Sequence, residues 1–141
     1  MFTLIIFKNF RFSLTNIMED LRKHLSSYLS TVPGLLGIVL SDREGVPLVR
    51  ANLQECPEQA TKPAFLTNYT GSTQEQAGKM GLGSNTCLIA VYNKHQVIHA
   101  IHMSVIITMV ATSEANTGYL TSLVDNMKPL LADISNAVTE P

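Results

Sequence analysis

The residues of this chain that could bind a metal or act as nucleophiles are four histidines and two cysteines, and their spacing favours neither chemistry. His99 and His102 lie three apart. On a strand such positions face opposite sides, so the two rings could not share an ion. His24 and His95 are isolated, and all four histidines are expected at the surface or its boundary. Cys56 and Cys87 stand outside any C-x-x-C pair, and neither has a histidine in an activating motif. Two reduced thiols of a cytosolic protein are the plain expectation. No serine sits in a G-x-S-x-G elbow. Asp42 and Glu44 share a solvated turn, which offers nothing to drive two carboxyl pKa values apart. Gly78-Lys79-Met80-Gly81-Leu82-Gly83-Ser84 looks like a phosphate loop, but a phosphate cradle precedes a helix N-terminus. Here the glycines follow a helical pattern and precede a strand. The chain is therefore expected not to be an enzyme and to need no cofactor and no metal.

The elements that carry these residues follow from hydrophobic period. Leu21, Leu25, Tyr28, Leu29 and Val32 have helical spacing over 19–31, with Glu19 and Asp20 at the positive end of the helix dipole and Pro33-Gly34 as the stop. Residues 35–41 are apolar on both faces and predict a central strand. The Asp42–Gly45 turn leads to a second strand over 46–51, where Pro47 and Arg50 suit an edge. A polar loop covers 52–61. A second helix is expected over 62–80, with Phe65, Leu66, Tyr69, Thr73, Ala77 and Met80 on one stripe. Strands follow at 86–92, 96–103 and 105–111, the first two joined by a tight turn at 93–95. A last helix runs to about Val138, and Pro129 is expected to kink it.

With the two most apolar strands paired in the middle, the strand order becomes 2-1-5-4-3. One edge is blunted by Pro47 and Arg50. The other, Thr86-Cys87-Leu88-Ile89-Ala90-Val91-Tyr92, is uncharged and apolar on both faces. Such an edge, if open, is a template for another chain. Read from the residues alone, it is either filled by a partner strand or internal to a different strand order.

Composition agrees with a single globular domain: 141 residues, 45% apolar and 15% charged. A thin charge coat on a small domain suits partial cover by a partner. A net charge of −1 provides no basic field for nucleic acid. No apolar run reaches the length of a membrane span, so no direct membrane insertion is expected. Residues 1–17 contain no acid, carry Lys8 and Arg11, and precede a natural-looking start at Met18-Glu19-Asp20. They can be read as a presequence or as an extension outside the fold, disordered or set by start-site choice. The second reading is favoured, which leaves 18–139 as the domain.

Four stretches carry a family resemblance: VPGLLGIVLSDREGVPLVRA (32–51), PAFLTNYTGSTQEQAGKMGLG (63–83), YNKHQVIH (92–99) and SEANTGYLTSLVDNMKPLLADI (113–134). Together they resemble the MEK-partner scaffold subunits of the Ragulator complex, in the roadblock superfamily. The Asp42–Gly45 turn is shared by many roadblock domains; Ala115–Gly118 and the proline inside the last helix are more specific. The resemblance implies an α+β, roadblock/longin-like fold: a five-stranded antiparallel sheet with two helices on one face and one on the other. It implies a heterodimer with a sister roadblock subunit, joined edge to edge through the third strand (86–92) with the middle helices side by side. Phe65, Tyr69 and Thr73 are the middle-helix candidates for that contact. It further implies a scaffold within the late endosomal and lysosomal adaptor, on the cytoplasmic face, held there by a lipid-anchored partner. The other partners implied are further Ragulator subunits, Rag GTPases, the mTOR complex, and the kinases MEK and ERK. Two other readings use related sheets. One is a homodimeric roadblock regulator of a GTPase or a dynein light chain. The other is a small-molecule sensor or enzyme, which would need an enclosed pocket with converging polar groups.

Overall fold

The computed structural model describes the backbone of residues 2–139. Side chains are described from residue 16 onward, apart from 17, 63, 64, 67–70 and 138–141. Three helices and a 3-10 turn surround one sheet: α1 (Phe2–Thr31), β1 (Leu35–Asp42), β2 (Pro47–Asn52), the 3-10 turn Glu58–Thr61, α2 (Pro63–Gly78), β3 (Cys87–Val91), β4 (His95–His102), β5 (Val105–Thr112) and α3 (Thr117–Thr139). The sheet is antiparallel throughout, in the order β2-β1-β5-β4-β3. The expected order and fold class are those observed.

β1 and β5 take the centre because their side chains are buried on both faces, from Leu35 to Ser41 and from Val105 to Ala111. One face, carrying Ile38, Leu40, Val49, Ala51, Ile98, Ile107 and Met109, forms a single core with α1 and α3. Leu21, Leu25, Leu29 and Val32 supply the α1 side of that core; Leu120, Leu123, Met127 and Leu131 supply the α3 side. α1 lies over β1 and β2, and α3 over β4 and β5. The opposite face, which includes Val39, Val97, Ile106 and Val110, is also buried. There α2 contributes Leu66 as its one fully buried apolar anchor among the described side chains.

Local chemistry fixes the connections. Gly34 adopts φ +82, a left-handed conformation that lets the chain leave α1 and enter β1 beside Thr112 and Ala115. The Asp42 carboxylate accepts the amides of Glu44 and Val46, each at 2.9 Å, and so closes the β1–β2 turn. Arg43 donates to the Met103 carbonyl at 3.0 Å, which ties that turn to the β4–β5 turn. Asn116 caps α3 through the Tyr119 amide at 3.0 Å.

A buried amide locks the entry to α3. Gln96 of β4 is 2% exposed. Its Nε2 donates to the carbonyls of Thr112 (3.0 Å) and Ala115 (2.9 Å), and its Oε1 accepts from the Thr117 hydroxyl at 2.5 Å. One side chain therefore holds the β5–α3 loop and the first turn of α3 against β4.

Several expectations need correction. The helical backbone of α1 reaches back to Phe2, whereas a helix was expected from residue 19; among the described side chains, those of α1 that meet the core include Met18 and Leu21. The second helix ends at Gly78, not Met80, and Met80 is exposed. Glycines at 78, 81 and 83 let the chain turn before Met80 can join the stripe. His99 is not a surface residue. It is buried, with its Nδ1 2.9 Å from the Thr108 hydroxyl of β5. Burial lowers its pKa to about 4, because a charged imidazolium would lose its water. The last helix, expected to run to about Val138, spans Thr117–Thr139 and holds Pro129 inside it.

Candidate partner interface

β3 is an edge strand, and its backbone shows which groups face outward. The Tyr92 amide donates to the His95 carbonyl at 2.7 Å, and the Ile101 amide donates to the Thr86 carbonyl at 3.0 Å. Inward bonding alternates along an antiparallel strand. Positions 86, 88, 90 and 92 therefore bond to β4, and the N–H and C=O groups of Cys87, Ile89 and Val91 point away from it. That is a row of donors and acceptors spaced for one more antiparallel strand.

The side chains on this row are apolar and poorly covered. Cys87, Ile89 and Val91 oppose Ala100, Ile98 and Gln96 across the β3–β4 ladder, which puts them on the α1/α3 face. Ile89 is 42% exposed and Val91 73%. α1 and α3 lie over the other four strands, so the far part of β3 stands beyond the main core. Leu88 and Ala90 point to the α2 face and are half-buried. Leu88 borders a small cavity with Gln74, Asn85, Thr86, His99 and Ile101. Gln74 of α2 donates to the Asn85 carbonyl at 3.1 Å, which fastens α2 to the segment that leads into β3.

The opposite edge differs. β2 begins with Pro47, carries Arg50 outward, and has Val49 and Ala51 buried beneath α1. Val49 and Ala51 are already covered within the chain, and Leu48 is half-buried.

The sequence-derived candidates fall as follows. Cys87 to Val91 form β3, with Thr86 and Tyr92 flanking it. Phe65 and Thr73 lie on α2 and are half-buried. Tyr69 is on the same helix, and its side chain lies outside the described residues. Sequence reasoning missed Met80 and Leu82, which are 70% and 83% exposed in the α2–β3 connection. The available signal was two large apolar residues set between glycines, where no regular element could bury them.

Neither cysteine is activated. Cys56 packs against Gly37, its Sγ 2.8 Å from where a glycine Cβ would stand. Burial raises its thiol pKa, and Arg50 only partly opposes the effect. Burial also raises the Cys87 thiol, and the nearby Asp125 charge adds to it. Both shifts favour the unreactive protonated form. Among the described residues, no cluster of His, Cys, Asp or Glu could hold a metal ion.

Comparison with known proteins gives a consistent picture. The family model described as mitogen-activated protein kinase kinase 1 interacting matches residues 19–138. The chain is similar to Ragulator complex protein LAMTOR3-A of Xenopus laevis, with 38% identity over 120 residues, covering 85% of this chain and 97% of that one. It is similar to Ragulator complex protein LAMTOR3 of Homo sapiens at 36% identity, covering 85% and 96%. Among solved structures it resembles MglB in a tetrameric arrangement, with a TM-score of 0.71 at 16% identity over 85% of this chain and 90% of that one. A roadblock/LC7 domain from Streptomyces avermitilis gives a TM-score of 0.62 at 18% identity, over 79% and 97%. The structural likenesses speak to the fold.

Proposed function

Since the chain belongs to the mitogen-activated protein kinase kinase 1 interacting family, we propose that it is a non-catalytic scaffold subunit of a Ragulator-type complex. Its working unit is residues 18–139, with 1–17 as an extension outside that unit. It pairs with a second roadblock subunit through β3, and α2 lies beside the equivalent helix of the partner. The pair supports recruitment of Rag GTPases and the mTOR complex to the lysosome, and MEK–ERK signalling on late endosomes. It reaches the cytoplasmic face of those membranes through a lipid-anchored subunit. The relatives' names support the Ragulator part of this reading, and the family description supports the kinase part.

The observation that carries the partner contact is the outward row at Cys87, Ile89 and Val91. A partner strand there would satisfy backbone groups in pairs and cover Ile89 and Val91. The residues proposed for the contact are Thr86 to Tyr92, with Phe65, Tyr69 and Thr73 on the middle helix.

Ile89→Pro tests this with little harm to the fold. The Ile89 amide points outward, so proline removes a donor that the internal ladder does not use. Co-purification with the sister subunit, read by size-exclusion chromatography with light scattering, should show a one-to-one heterodimer for the natural chain. Pairing should weaken by roughly 10- to 100-fold in Ile89→Pro, from one orphaned carbonyl on the partner, and further in Ile89→Asp. Normal pairing by both variants would refute the edge contact. A stable homodimer indifferent to the sister subunit would instead support the homodimeric roadblock regulator.

A further inference from the structure

The N-terminal half of α1 is set apart from the rest of the chain by composition. Four of the five phenylalanines of the protein, Phe2, Phe7, Phe10 and Phe12, fall within its first twelve residues. No acid occurs before Glu19, while Lys8 and Arg11 are basic. The backbone over Phe2–Thr31 is one helix, so helical spacing can be counted through it without a break. Ile6, Phe10, Leu14 and Ile17 follow steps of four, four and three, and the same steps lead on to Leu21 and Leu25, which are buried on the sheet. Lys8, Arg11 and Thr15 follow their own three- and four-residue steps and occupy positions on a different face, which Leu4 shares; Ile5 and Phe12 also fall off the Ile6–Ile17 stripe. The apolar stripe that the sheet uses from Leu21 onward thus continues in phase for roughly four turns, about 24 Å, toward the N-terminus.

We infer that residues 2–17 of α1 bind an anionic membrane surface as an amphipathic helix lying in the headgroup plane. An apolar stripe in register with the core, further large apolar residues at 4, 5 and 12, two cations off the stripe and no carboxylate are features that such a surface selects. A protein groove would be served equally well by a stripe flanked by acids, and this stretch has none. No helix among the described residues is long and apolar enough to cross a membrane, so the helix lies on the surface and does not span it. This reading is independent of the β3 contact and adds a membrane contact made by the chain itself.

Vesicle flotation of the full chain tests it, using phosphatidylcholine vesicles with and without phosphatidylserine. The chain should float with the anionic vesicles and bind at least tenfold more weakly to phosphatidylcholine alone. Lys8→Gln with Arg11→Gln should weaken anionic binding about 30-fold, from two lost basic contacts. Phe10→Glu with Leu14→Glu should abolish it. These positions precede the part of α1 that packs in the core, and retention of the natural far-ultraviolet spectrum checks that the fold is kept. No flotation with anionic vesicles would overturn the proposal. So would flotation indifferent to both pairs of substitutions, or removal of the segment on import into isolated mitochondria, which would make it a presequence.

Discussion

Replacing Gln96 with leucine should destabilise the fold by roughly 2–4 kcal/mol, because three hydrogen bonds end on that one side chain. Its amide nitrogen serves the Thr112 and Ala115 carbonyls, and its oxygen receives the Thr117 hydroxyl. Leucine has a similar volume and no polar atoms, so the cavity cost is small and the loss is that of the bonds. Each is worth about 1 kcal/mol net. Thr112, Ala115 and Thr117 are only half-buried, so water can replace part of the loss. For a domain of this size each kcal/mol lowers the melting temperature by about 3–4 °C, giving an expected drop on the order of 10 °C. Circular dichroism on heating would measure it. Gln96→Glu should be worse near neutral pH, because a carboxylate would face two carbonyl oxygens, and it should improve as acid protonates it. Thr117→Val alone should cost about 1 kcal/mol and cost less in the Gln96→Leu background, since the two share a bond. A Gln96→Leu variant melting within about 1 °C of the natural chain would refute the lock.

Two further stability predictions concern charge and backbone. The folded pKa of His99 is about 4, below the ordinary value of 6.5, so the fold favours the neutral ring. That contribution is full above pH 6.5 and is lost as pH falls from there toward 4. Between pH 7.5 and pH 5 the loss should be about 2 kcal/mol. Urea unfolding should show it in the natural chain and not in His99→Leu, and equal pH dependence of the two would refute it. Gly34→Ala should destabilise by roughly 1–3 kcal/mol, because a Cβ at φ +82 would stand 2.7 Å from the Thr112 hydroxyl and 2.8 Å from the Ala115 Cβ. Gly71→Ala, mid-helix with nothing within 4 Å of the added Cβ, should stabilise by about 0.5–1 kcal/mol. Reversal of that ranking in urea unfolding would refute the assigned backbone roles.

The strand order was readable because β1 and β5 carry apolar residues on both faces, which a central strand with two covered faces requires. β2 declared itself an edge through Pro47 and Arg50. Other features were not readable, for definite reasons. His99 and Gln96 sit on opposite faces of one strand, and nothing in their spacing reveals that Thr108 or the α3 entry will meet them. Both contacts come from strand register, which depends on long-range pairing. The far end of α2 was misjudged because Met80 fits a helical stripe by count alone, while the glycines around it fit a turn equally well. β3 was recognised as apolar on both faces. Only the ladder shows that 87, 89 and 91 are the positions facing out.

The unequal edges of the sheet have a consequence for stoichiometry. β3 offers an outward row of backbone groups and bare apolar side chains, whereas β2 carries a proline, a charge and, at Val49 and Ala51, side chains already covered. A sheet with two adhesive edges could grow without limit, as fibrils do. A sheet with one has a valence of one. When two such sheets meet through their open edges, both adhesive sides are used up and the outer rims repel further growth. In the β3 pairing proposed above, the asymmetry therefore counts: it limits the joined sheet to two subunits and ten strands.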